Sequence, residues 1–319
     1  MGTPALLGGN DFVTDGGLET DLIFNHGLDL PEFAAFPLVD DAAGRALLRD
    51  YFQGYVEIAR RAGSGLLLET PTWRANPDWG LRVGYDRRSL DLANRQAVHL
   101  LTELRAERPV DGPVLISGTV GPRGDGYVAG EHTDPDEAAA YHAPQLAALA
   151  SAGADLATAY TLTGTGEAIG VVRAAREVGL PVAISFTVET DGRLPDGSTL
   201  ADAVAVVDAV DAPDWFLVNC AHPLHVEPGL AGRADDGTGG GAWLDRIVGL
   251  RPNASTLTHA ELDASEVLDP GDLDLLASSF EHLRALLPQL QVVGGCCGTD
   301  VRHVARLWGQ RPQGHIVPP

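Results

Sequence analysis

Three cysteines are the residues of this chain whose type and spacing most plainly offer chemistry. Cys220 ends the apolar run 215–220 (WFLVNC), and the adjacent Cys296 and Cys297 end the run 292–297 (VVGGCC). Three thiolates brought together suit a tetrahedral zinc ion with one position left open, the mark of a catalytic rather than a structural site. Zinc held by sulfur alone is a poor source of hydroxide, because three thiolates leave the complex net negative. It suits the binding of another thiol, which loses its proton there and stays nucleophilic at neutral pH. The chemistry inferred is attack by a substrate thiolate on an electrophilic carbon. The rival reading is three inert buried cysteines, since free Cys often behaves as a small hydrophobe. The vicinal pair after Gly294 and Gly295 argues against it, being built for close approach to something.

Composition narrows the rest. The chain has 319 residues, 45% of them hydrophobic, enough for a substantial core. It carries 22 basic and 44 acidic residues, for a net charge of −22, and every basic residue is arginine. Without lysine there is no Schiff-base enzyme and no phosphate-loop motif. The negative charge argues against nucleic acid and anionic membrane as partners. No apolar run approaches the ~20 residues of a membrane span. An odd, low cysteine number argues against a disulfide framework and fits a reducing cytoplasm. The N-terminal stretch does not read as a signal peptide.

The elements that must position the cysteines are strands and helices in alternation. Candidate strands fall at 12–15, 65–70, 114–118, 155–159, 182–187, 215–220, 247–251 and 292–297. Most are continuous apolar runs, as expected of parallel strands buried on both faces. Helical patterns lie near 41–62, 86–108, 134–152, 165–179, 199–210, 273–287 and 299–309. Asp134-Pro135 and Thr299-Asp300 read as helix starts, and Gly63, Gly153 and Gly179 as stops. The stretch 221–246 reads as a long surface loop with one short helix, and 231–241 is rich in glycine. No composition break marks a linker. The pattern predicts one domain over residues 1–319, a (β/α)8 TIM barrel; no G-x-G-x-x-G follows the first strand to support a doubly wound sheet. In such a barrel the C-terminal strand ends line one mouth, so the sixth and eighth strands would bring the cysteines together there.

The run GGCCGTDVRHV, with LVNC upstream and DGGLETDL near the N-terminus, resembles the zinc-dependent homocysteine S-methyltransferases. SFTVETDGRLPDGSTL matches a stretch seen in that family, and the resemblance runs from about Asp11 to Leu307. It agrees with the barrel. It implies that Cys220, Cys296 and Cys297 hold Zn2+. It further implies that a methyl group passes from an onium donor (S-methylmethionine, S-adenosylmethionine or betaine type) to homocysteine, giving methionine. Its partners are then a small-molecule thiol and a methyl donor. The resemblance also implies that Asp15, Gly16 and Gly17 hold the amino-acid part of the thiol. A Gly-Gly turn can bare backbone N–H groups for a carboxylate, and Asp15 can take an ammonium.

Other residues are open to two readings. Thr70 and Thr72 either line the substrate site or are turn hydroxyls, and Asn219 either orients substrate or holds a loop. Glu19, Thr20 and Asp21 read as helix caps, with Glu19 able to face the mouth. Of the early aromatics Phe24, Phe33, Phe36, Trp73, Trp79 and Tyr85, only Trp73 is well placed for a mouth role. His222 and His225 read as loop residues, since three cysteines suffice. Arg251, Asn253, Ser255 and His259 fall near the mouth. One departure stands out: where the family usually has a glutamate that binds the homocysteine ammonium, this chain has Tyr160. Either Asp15 suffices, or Glu69 or Glu189 substitutes, or the thiol is another; a different small thiol, or a zinc- and thiol-binding protein without turnover, are the alternatives.

Overall fold

The structure is a computed structural model, and it describes residues 4–128, 133–230 and 241–311. Eight parallel strands close into a barrel in sequence order. They are β1 (Phe12–Val13), β2 (Gly65–Glu69), β3 (Val114–Val120), β4 (Leu156–Leu162), β5 (Val182–Phe186), β6 (Trp215–Asn219), β7 (Ile247–Arg251) and β8 (Val292–Val293). Closure comes from β1 pairing with β8, Phe12 opposite Val292. The (β/α)8 expectation therefore holds. β1 and β8 are shorter than the sequence runs, because at Thr14 and Gly294 the chain leaves the ladder to build the mouth.

Local signals explain the helices between them. Asp41 caps Ala42–Ala62 by accepting from the Gly44 amide, and Gly63 ends it at φ 63°. Asp134 accepts from the amides of Asp136 and Glu137 at the start of Pro135–Ser151. Asp300 caps the last helix, which begins at Val301. Such side chains satisfy amides that a helix start leaves unpaired. Within 221–246, one helix spans Pro223–Leu230 and a short 3-10 turn spans Ala242–Arg246; residues 231–240 of the Gly-rich loop lie outside the described residues. Among the described residues, no helix is long and apolar enough to cross a membrane.

The barrel interior has an apolar floor and a polar ceiling. Phe12, Leu67, Leu156, Ala183, Trp215, Leu217 and Val292 pack together as the floor. Two residues further along the strands the inward positions become Glu69, Thr158, Ser185 and Asn219, all buried. Side chains alternate across a strand, so stepping by two stays on one face and climbs toward the mouth. The polar ceiling is where a site can form.

Candidate metal centre and active site

The three cysteines meet at that ceiling. Their sulfurs lie within 4.8 Å of one another, the set among the described residues able to hold a metal ion. Cys220 Sγ and Cys297 Sγ are 3.4 Å apart. Cys220 follows β6 directly and sits at φ 59°, a conformation that L side chains rarely adopt. Its carbonyl is clamped by Asn253 Nδ2 at 3.0 Å and His259 Nε2 at 2.6 Å. Such surroundings hold a strained residue in place. Contacts from Cys220 and Cys297 favour the Cys296 thiolate, and contacts from Cys296 and Cys297 push the Cys220 thiol well up.

Glycines let the two motifs interlock. A Cβ on Gly17 would lie 2.4 Å from the Cys296 carbonyl oxygen, and one on Gly294 would lie 2.5 Å from that of Asp15. The DGG and GGCC turns thus touch backbone to backbone, which only glycine permits. Gly17 is accordingly a packing residue, and its amide donates to Thr299 O at 3.0 Å.

Asp15 is buried against Arg251, whose Nη2 donates to Asp15 Oδ1 at 2.6 Å. Tyr51 donates to the other oxygen at 3.2 Å. Arg251 also donates to Gly295 O and Gly16 O. Beside it, Tyr160 donates to Glu69 Oε1 at 2.6 Å, and its ring lies 4.8 Å from the Arg251 guanidinium carbon. Burial pushes Glu69 up to about 7, against the pull of Arg251 and Tyr160. Glu189 binds His259 Nδ1 at 3.0 Å. Of the carboxylates weighed for an ammonium, each already has a partner.

Glu19 does not. It lines the same cavity as the cysteines, and among the described residues its carboxylate makes no ion pair and no hydrogen bond to another residue, its own backbone amide alone donating to it. Burial, with the nearby charges of Asp15 and Cys296, raises it to about 7. No side chain caps the short helix Leu18–Thr20, so the capping expectation for this stretch fails. Thr20 instead accepts from the Gly298 amide and donates to Gly17 O, tying both turns together.

The other expected residues divide. Asn219 accepts from Ser185 Oγ and the Thr161 amide, and aims Nδ2 at Cys296 Sγ at 3.6 Å. Thr70 lines the cavity and Thr72 does not; their hydroxyls bond each other and the backbone of Thr119, joining the top of β2 to β3. Trp73, Phe24 and Phe33 line the cavity, whereas Phe36 and Tyr85 pack edge to face. His222 and His225 stand outside the cysteine cluster. The residue missed from sequence is Tyr127, whose hydroxyl lies 3.3 Å from both Cys220 Sγ and Cys297 Sγ while its ring stacks on His259. Its loop after β3 carries no pattern that points at the sulfurs.

The cavity holds about 380 Å3 and opens on the cysteines, a small-molecule site by size. The family model for homocysteine S-methyltransferase matches residues 12–309. A homocysteine S-methyltransferase of Escherichia coli K12 is 30% identical, the match covering 95% of this chain and 96% of the relative. Crystal structures of an Escherichia coli homocysteine methyltransferase share the fold. The metallated form has a TM-score of 0.72 at 24% identity, covering 96% of this chain and 98% of that one. The oxidized form has a TM-score of 0.71 at 25% identity, covering 94% and 95%. By sequence and by barrel, this chain belongs to the homocysteine S-methyltransferase family.

Proposed function

We propose that the chain moves a methyl group from an onium donor to the sulfur of homocysteine, with Zn2+ held by Cys220, Cys296 and Cys297. The observation that carries this reading is the meeting of three sulfurs within 4.8 Å at the base of a cavity. The donor set fits zinc: all three ligands are soft, and no imidazole or carboxylate joins them among the described residues. Zinc bound there would lower the pKa of a thiol reaching its remaining position.

The chain's own residues supply the rest. Asn253 and His259 hold the Cys220 carbonyl, which fixes the direction of its sulfur. Asn219 presents an N–H to Cys296. Asp15 is neutralised by Arg251, and Glu19, in the same cavity and close enough to Cys296 to feel its charge, is the carboxylate we assign to the acceptor ammonium. Tyr127 covers Cys220 and Cys297 and limits the water that reaches them. In the reaction a sulfur–carbon bond forms as the bond from donor onium to methyl breaks. The bonding pair stays with the leaving sulfide or amine, which departs neutral. Orientation in the cavity is the main lever. Three free cysteines support a reducing compartment, and we place the protein in the cytoplasm.

Zinc-edge X-ray absorption on reduced protein, with and without homocysteine, tests the reading. A sulfur shell growing from three to four supports homocysteine as acceptor and Tyr160 as a tolerated change. Bound zinc with an unchanged shell points to another thiol. No bound zinc overturns the site.

A further inference from the structure

One segment at the mouth is fixed only at its ends. It follows β7 and runs from the short helix His259–Asp263 to Asp269. At one end the His259 ring sits between Cys220 O at 2.6 Å and Glu189 Oε1 at 3.0 Å, and it stacks on Tyr127. At the other, Asp269 Oδ2 accepts from Ser255 Oγ at 2.5 Å and Pro270 O accepts from His303 Nε2 at 2.9 Å. Between these anchors, among the described residues, 263–268 make no ion pair and their hydrogen bonds stay inside the segment. Ser265 N donates to Leu262 O, and Ser265 Oγ donates to Val267 O at 2.7 Å. Backbone held by so few bonds opens and moves at low cost.

The segment is apolar where it meets the cavity. Val267 lines it together with Leu262 and Leu268, yet Val267 is 75% exposed. Strand order places β8 between β7 and β1, so the turn bearing Cys296 and Cys297 has this segment on one side and the loop after β1 on the other. That loop brings Phe24, 40% exposed, and Phe33 to the same cavity. Phe33 is held at φ 59° beside Glu32 at φ 55°, a conformation costly for a bulky residue. The Ala34 amide bond to Pro31 O and the ion pair of Glu32 with Arg82 at 3.3 Å keep that turn in place. One bank is therefore pinned with an aromatic ring on the cavity, and the other is loose with an aliphatic side chain in water. Bringing them together buries both. It also serves the chemistry: a thiolate and an onium cation lose charge as they react, so excluding water favours the transfer.

We propose that Leu262–Leu268 is a lid, anchored at His259 and Asp269, that closes over the occupied cavity and seats Val267 against Phe24 and Phe33. The proposal rests on the methyl-transfer reading above for its choice of ligand.

The test is hydrogen exchange of the zinc-loaded full chain, read by mass spectrometry with and without S-butylhomocysteine. The sulfur of that probe is already alkylated, so it fills the cavity without reacting. Exchange over 262–268 is expected to slow roughly tenfold or more on binding. If equilibrium dialysis shows the probe bound and exchange there is unchanged, the lid is overturned while the methyl-transfer reading stands. A second variant decides the matter even if the probe does not bind. Phe24→Cys with Val267→Cys should form a disulfide between positions 24 and 267 under mild oxidation, identified by peptide mapping, with zinc protecting the site cysteines. A folded, zinc-loaded double variant that never forms it, with or without the probe, overturns the proposal. Val267→Asp should lower kcat/KM several-fold with Tm unchanged, since the open lid exposes this side chain. Unaltered kinetics in Val267→Asp would also overturn it.

Discussion

Arg251 Nη2 lies 2.6 Å from Asp15 Oδ1, an ion pair between the end of β7 and the turn after β1, 236 residues apart in sequence. Both side chains are buried, and three further carbonyl contacts hold the guanidinium in place. Burial still raises Asp15 above the usual carboxylate range despite Arg251. The pair therefore joins two strand ends and spends the charge of an aspartate that would otherwise suit an ammonium.

Removing the arginine alone should be severe. Arg251→Met leaves Asp15 buried without its counter-charge, a loss of about 3–5 kcal/mol. Thermal unfolding is expected to show a fall of many degrees. The double variant with Asp15→Asn should recover much of it, and no recovery would contradict the pairing argument.

Glu69 sets a pH dependence of stability. Its folded pKa of about 7 lies above its ordinary 4.5, so the folded state holds the proton more tightly than the unfolded one. As pH rises between those values the native protein loses this contribution. Glu69→Gln does not titrate. The Tm of the variant minus that of the native protein should therefore grow more positive from about pH 5 to about pH 8. A difference that is flat across this window would count against the buried position of Glu69.

Glu19 should govern recognition of the acceptor. Glu19→Gln is expected to raise the homocysteine KM by roughly tenfold or more, as for a lost charged hydrogen bond. Its pKa of about 7 reflects burial first; its own backbone amide pulls it down, Asp15 and Cys296 push it up, and Arg251 opposes them. Below that pH the native carboxyl is protonated, so kcat/KM for homocysteine should fall on the acid side. The variant lacks that limb. If both profiles coincide, Glu19 does not hold the ammonium.

His259 acts through Cys220. Its Nε2 contacts the Cys220 carbonyl at 2.6 Å and its Nδ1 contacts Glu189. His259→Ala should lower zinc affinity by about 10–100-fold in a competition assay with a chelator, with the far-ultraviolet circular dichroism unchanged. Cys297→Ser should lower zinc occupancy and activity together. Full activity in a zinc-free Cys297→Ser protein would refute the metal mechanism.

Much of this was legible in the chain. Continuous apolar runs specify parallel strands buried on both faces, and their regular alternation with capped helices specifies the barrel. LVNC and GGCC mark the ends of two strands, so Cys220, Cys296 and Cys297 had to face one mouth once the barrel closed. What tertiary structure alone decided is which charges remain free. Asp15, Glu69 and Glu189 look alike as carboxylates in sequence, yet Arg251, Tyr160 and His259 take them, and Glu19 is left. Tyr127 likewise reaches the sulfurs from a loop without a motif. The physical reason is that local pattern encodes periodicity and capping. Pairing inside a barrel depends instead on closure of β1 against β8 and on the height of each residue in the ceiling, which no local stretch contains.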